Sequence, residues 1–198
     1  MVEDGVLDTG VQISYPKFTT QYGTQISFKR GIWDETSGAF ESDRLKVINM
    51  PVLKSHGIYH VTGAVKSYMG VVANRLTGFR PHNSVGSGGM GSVMAETRMP
   101  ALNIMDMIWV GADKGPGATY DSAVGIKAIA ASVDPAALDY WAAKNILLPE
   151  LTGSLAKNSD PDSEHEGGFG YWLKLSADEI EKWGLRAAPA SNEILLIE

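Results

Sequence analysis

The chain has 198 residues, 44% hydrophobic and 20% charged, enough length and apolar content to bury a core and most simply one globular domain. Seventeen basic residues against 23 acidic give a net charge of −6 without a clustered lysine and arginine stripe, which argues against nucleic acid and anionic membrane as partners. The absence of cysteine excludes disulfides, thiolate zinc sites and an iron–sulfur cluster on this chain.

No apolar run reaches the roughly 20 residues that span a bilayer, and Met1 to Gly10 is acidic, unlike a secretory signal. The chain therefore reads as soluble, either cytoplasmic or exported, with truncation or processing accounting for any signal it lacks. In chain order, VQISYPKFTTQYGTQISFKRGIW alternates β-favouring and polar residues around a glycine and predicts a hairpin or a pair of edge strands. Leu45 to Met50 is a short apolar run ended by Pro51, a central strand opening into a loop that carries Lys54 and His56. From Val61 onward, Val61, Ala64, Val65, Tyr68, Met69 and Val72 recur at helical spacing and predict the first helix, with Thr62 and Lys66 beside its apolar stripe.

A glycine-rich loop, NSVGSGGMGS, leads into a helix stopped by Pro100. ALNIMDMIWVG is almost continuously apolar, the mark of a strand covered on both faces as in parallel sheets. Counting in twos places Asp106 on one face with Leu102, Ile104, Ile108 and Val110, a carboxylate among apolar neighbours. After ADKGPGATYD comes another short buried strand, IKAIAAS, and then Asp134-Pro135, where Asp caps and Pro opens a helix running to about Leu147. Ser176 to Glu179 reads as a capping box with Gly184 ending its helix, and EILLIE as a last strand. Strands alternating with helices predict an α/β fold: a mixed, largely parallel sheet with helices packed on it, preceded by the N-terminal hairpin or edge strands.

Gly86, Gly88 and Gly91 fit G-x-G-x-x-G, but what precedes them is loop-like rather than a strand, so a solvent-facing turn outweighs a nucleotide cradle. The lysine and histidine cluster is the stronger signal. Lys54 and His56 lie two apart in an extended segment and point to one side, and Lys66 and Thr62 approach from the following helix. Such a set attracts an anion: Lys54 and Lys66 supply charge, and His56 is the acid–base candidate. A divalent metal is the competing occupant, with His56, His82 and Asp106 as its ligands and His60 as a boundary residue. A carboxylate at Asp106 in an apolar strand needs a partner, for which Lys54 or Lys66 would serve. Asp134 reads as a helix cap and Asp139 as a first-turn carboxylate favoured by the helix dipole.

The runs VINMPVLKSHGIYHVTGAVKSYMG, ALNIMDMIWVGADKGPG and AIAASVDPAALDYWAAK, in that order, resemble the domain-of-unknown-function family 362, over about Lys46 to Lys144. Its pattern is an apolar strand ending in Pro-x-x-Lys-x-His, a Thr-Gly-x-x-Lys-x-x-x-Gly segment, an Asp-containing strand leading to Gly-Pro, and Ser-x-Asp-Pro-x-Ala-x-Asp. The resemblance points to Lys54, His56, Thr62, Lys66, Asp106, Gly115, Pro116, Asp134 and Asp139, with His82 matching a histidine found after the first helix. Because some members append a cysteine-rich iron–sulfur module, it also implies a redox-associated enzyme. This chain departs from the pattern by having no cysteine cluster and by lacking the N-terminal α/β segment of longer members. The expected function is a cleft at the carboxyl ends of the sheet that binds an anionic small molecule or a metal ion. The rival is a non-catalytic structural or partner-binding subunit, for which a homo-oligomer is the expected form.

Overall fold

The N-terminal alternation builds more than a hairpin in the computed structural model, which describes residues 2–8, 10–72, 80–113, 123–189 and 194–197. Strands β1 (Val2–Val6), β2 (Gln12–Thr19), β3 (Gln25–Ser27), β4 (Gly31–Asp34) and β5 (Ala39–Glu41) form a five-stranded meander, each antiparallel to the next. The connections are too short for anything but antiparallel neighbours. Leu7, Ile13 and Tyr15 bury one side of it in the core.

The second sheet contains β6 (Ile48–Asn49), β7 (Val52–His56), β8 (His60–Thr62), β9 (Leu102–Gly111), β10 (Ala123–Ser132) and β11 (Leu195–Ile197). Its order is β11-β10-β9-β7-β8, with β6 also on β9. The largely parallel sheet expected from the sequence is not what forms. Only β6 and β7 run parallel to β9; β8, β10 and β11 all pair antiparallel, as does the whole first sheet. The chain between β9 and β10, residues 112–122, is shorter than a parallel crossover requires. The apolar run of β9 also misled in a second way. Asn103, Met105 and Met107 are buried, whereas Leu102, Ile104 and Asp106 are half-buried and Ile108 is exposed, so one face is packed and the other is open. Asp106 therefore lies on the open face and not in a dry interior.

The packed face is covered by helices. These are α1 (Ala64–Ser67), which continues as a 3-10 turn through Val71, α2 (Arg80–Asn83), α3 (Gly89–Thr97), α4 (Pro135–Ala142), α5 (Gly153–Ser159) and α6 (Phe169–Glu181). Val61 and Thr62, expected in the first helix, belong instead to β8, and the loop expected around Lys54 and His56 is β7 itself. Asp134 caps α4 as expected, its Oδ1 accepting the Ala137 N–H at 2.9 Å, and a π-helical turn carries the helix on to Leu147. Helix α6 begins at Phe169, ahead of the predicted capping box, because Phe169, Trp172, Leu173, Ala177 and Ile180 form a continuous buried stripe. Ser176 is thus an interior position.

The glycine-rich loop is not a solvent-facing turn. A β-carbon on Gly91 would collide with the Ser176 carbonyl, so the glycine lets α3 press against α6. Just beyond α3, Arg98 ties the two sheets together. Its Nε donates to Phe28 O at 2.7 Å, Nη1 to Ser42 O and Leu45 O at 2.9 and 3.0 Å, and Nη2 to Lys29 O and Ser42 Oγ at 2.9 and 3.2 Å. No described helix is long and apolar enough to cross a membrane.

Candidate functional site

The stretch with two lysines and two histidines folds as a hairpin in which Lys54 lies opposite Thr62 and His56 opposite His60. The connecting turn closes over one imidazole, whose Nδ1 accepts the backbone N–H groups of Ile58 and Tyr59, each at 3.1 Å. A ring nitrogen that accepts two hydrogen bonds carries no proton, so neutral His56 holds its hydrogen on Nε2 and can offer it as a donor. The turn places Tyr59 against the His56 ring, centroids 5.6 Å apart, and His82 of α2 meets Tyr59 edge to face at 4.9 Å and His56 at 6.0 Å. Trp172 of α6 fixes the turn by donating Nε1–H to Tyr59 O at 2.9 Å.

Lys66 enters from α1. It is only 5% exposed, and its ammonium lies 5.8 Å from the Tyr59 ring centroid. Burial, with a smaller contribution from Lys54, pushes it down to about 8. His56 is lowered to about 4, through burial first and then the nearby Lys66, His82, Lys54 and His60. His82 is lowered by burial and by Lys66. Burial is the main cause of each shift and the neighbouring positive groups add to it; none of the ion pairs among the described residues includes Lys54 or Lys66. Thr62 Oγ1 is buried and has no hydrogen-bond partner among the described residues.

Position and orientation of α1 are set from the other side of the core. The Asp139 carboxylate, fully buried on α4, accepts the N–H groups of Ala64 and of Val65, the latter at 2.9 Å. Burial raises it to about 7 against the lowering effect of those two amides. The sequence reading of Asp139 as a dipole partner of its own helix is replaced by this contact between helices. Asp134, beyond its cap, reaches the Ala188 N–H at 2.7 Å. Neither residue meets the lysine and histidine group directly.

Of the residues singled out in the sequence, the fold brings together Lys54, His56, Thr62, Lys66 and His82. Asp106 stays apart: its neighbour on β7 is Val52, Lys54 lies beside Gly111, and its carboxylate accepts its own strand's Ile108 N–H at 2.8 Å. Gly115 and Pro116 lie outside the described residues. His60, at φ 65°, places Nε2 3.1 Å from Gly167 O. Sequence reasoning does not single out Tyr59, although its place between His56 and His60 was the available signal. It had no signal for Trp172, which comes from a distant helix.

A metal ion fits these residues poorly. His56 Nδ1 is engaged by two amides, and no three of His, Asp and Glu converge among the described residues as a ligand set. A cavity of about 620 Å³ between Tyr140, Pro161, Tyr171, Leu173 and Pro189 shares no residue with the cluster. Against known proteins, one family model matches residues 8–144, that of a domain of unknown function, DUF362. No curated protein and no solved structure matches the chain.

Proposed function

Because the chain belongs to the DUF362 family, whose description assigns no activity, its role must be argued from its own residues, and we propose that the cluster of Lys54, His56, Lys66 and His82 binds a small anion. The observation that carries this is the burial of Lys66 while none of the ion pairs among the described residues includes it. An ammonium taken out of water without a partner is costly, and a bound anion removes that cost. Thr62 Oγ1 and His56 Nε2–H supply two further neutral donors of the kind an oxyanion uses. Tyr59 and His82 give the site aromatic walls, which keep the local dielectric low and strengthen the attraction.

In this reading the residues divide by what their surroundings allow. Lys54 and Lys66 hold the charge. His56 is a fixed hydrogen-bond donor and not a proton carrier at neutral pH, since its lone pair is committed to the turn and its proton affinity is depressed. Lys66, brought down to about 8, is the group suited to exchange a proton with a bound molecule. An iron–sulfur role would need cysteines that this chain does not have.

The test is thermal stabilisation by inorganic phosphate and by small mono- and dicarboxylates. Wild type should melt at higher temperature as each anion saturates the site. Lys54→Ala/His56→Ala should abolish that response while the fold survives, and so should Lys66→Met. An unchanged anion response in both variants ends the proposal.

A further inference from the structure

A lysine that only holds an anion works from the surface, where its charge costs little. Lys66 is instead buried on α1, with its Nζ facing the Tyr59 ring and no ion pair among the described residues. Desolvation disfavours the ammonium, the nearby Lys54 disfavours it further, and a neutral amine is a nucleophile. With Lys66 brought down to about 8 from 10.5, its free-amine fraction at pH 7 exceeds that of an ordinary lysine by on the order of 100-fold.

The groups around the amine fit a carboxylate at one end and a carbocation-like centre at the other. Lys54 lies opposite Thr62 across the hairpin, so one charge and one hydroxyl flank the same place. Thr62 is 9% exposed, and its Oγ1 has no hydrogen-bond partner among the described residues. His56 keeps its Nε2–H available because Nδ1 accepts the two turn amides. The Tyr59 ring, 5.8 Å from the Lys66 ammonium, attracts an iminium in the same way. Asp139 fixes the start of α1 through the Ala64 and Val65 amides, which limits where the lysine can reach.

On the basis of the anion reading, we infer that Lys66 forms a Schiff base with a short 2-oxo acid whose carboxylate occupies the anion site. The Lys66 amine adds to the ketone carbon, the carbon–oxygen bond then breaks, and the oxygen departs as water. Counted from the ammonium, two of its three protons leave with that oxygen and one stays on the imine nitrogen, so charge is conserved and no oxidant or reductant is consumed. The carboxylate is held by Lys54, Thr62 Oγ1 and His56 Nε2–H. It offsets the positive charges of Lys54 and the iminium, which a neutral ketone could not do.

Pyruvate with sodium cyanoborohydride, which reduces an iminium to a stable amine, tests this on the wild-type chain. Intact mass should show one reduced pyruvate adduct, and peptide mapping should place it on Lys66, formed at least about tenfold faster than at the exposed Lys157. Phosphate, and lactate as the same acid without a ketone, should slow labelling at Lys66 and leave Lys157 unaffected. Thermal stabilisation by phosphate, measured alongside, reports the anion site independently. If phosphate stabilises the protein while Lys66 is labelled no faster than Lys157, the inference is overturned and the anion reading stands. An adduct on Lys54 in place of Lys66, or labelling of Lys66 that neither phosphate nor lactate slows, overturns it as well.

Discussion

The carboxylate of Asp139 occupies the space that a β-carbon on Gly63 would need. Gly63 immediately precedes α1, and Asp139 accepts that helix's first amides, so the Thr-Gly-x-x-Lys and Asp-Pro-x-Ala-x-Asp segments are two halves of one contact. The helix is a single turn and has little stability of its own. What fixes Lys66 in place is this cap from α4.

Gly63→Ala should therefore destabilise the protein by about 2–4 kcal/mol, because a methyl group forced against a fully buried, hydrogen-bonded carboxylate cannot be relieved by a flexible side chain. Urea unfolding measures it. Alanine tolerated within about 0.5 kcal/mol would mean that the contact between the two segments is loose.

The same carboxylate should give stability a pH dependence of known sign. In the unfolded chain Asp139 loses its proton near 3.8, while in the native protein burial holds it until about 7. Across that window the native state binds more protons than the unfolded state, so this group's contribution is full below about 4 and is lost as pH rises through about 7. Asp139→Asn removes the titration. The stability difference between wild type and Asp139→Asn should shift against wild type over this range, by at most about 1.4 kcal/mol per pH unit. Parallel stability curves for the two proteins from pH 4 to 7 would refute it.

Lys66 separates binding from stability. Its depressed proton affinity means that the charged form penalises the ligand-free fold below about 8, and the penalty is relieved as pH climbs from about 8 toward the ordinary lysine value of 10.5. Lys66→Met should raise the melting temperature at pH 7 by a few degrees while removing anion binding. In wild type, phosphate affinity should fall as pH passes above about 8. A methionine variant that melts lower than wild type would show that the ammonium has a partner supporting it in the native state.

Arg98 joins the meander to the second sheet through five hydrogen bonds, four of them to backbone carbonyls. Lysine has neither the fork nor the donor count to replace them. Arg98→Lys should cost about 1 kcal/mol, leaving the part-buried carbonyls of Phe28 and Leu45 without their donors. Amide hydrogen exchange should quicken around Phe28 to Leu45 before it does in β9 and β10. Uniform protection in the variant would show that the two sheets are held together by other contacts.

Local chemistry was legible in the residues themselves. The Asp134-Pro135 cap, the strands near the N-terminus, the β9 segment and the closeness of Lys54, His56, Thr62 and Lys66 follow from short-range pattern, because capping, strand alternation and turn formation involve residues close in sequence, whereas His82 joins them through a tertiary contact. Strand direction did not follow from pattern, since an apolar run reads the same whether its neighbour is parallel or antiparallel. The same ambiguity left Asp106 on the wrong side of the reading: alternation says which residues share a face, not which face is packed.

The sequence by itself determined where positive charge would gather and that no cysteine chemistry would accompany it. Only the tertiary structure decided that Lys66 is buried with no ion-pair partner among the described residues, that Tyr59 and Trp172 complete its surroundings, that Asp139 braces α1, and that one sheet face is left open. The physical reason is that burial and partnership are properties of residues far apart in the chain, and a sequence read in order carries spacing but not proximity.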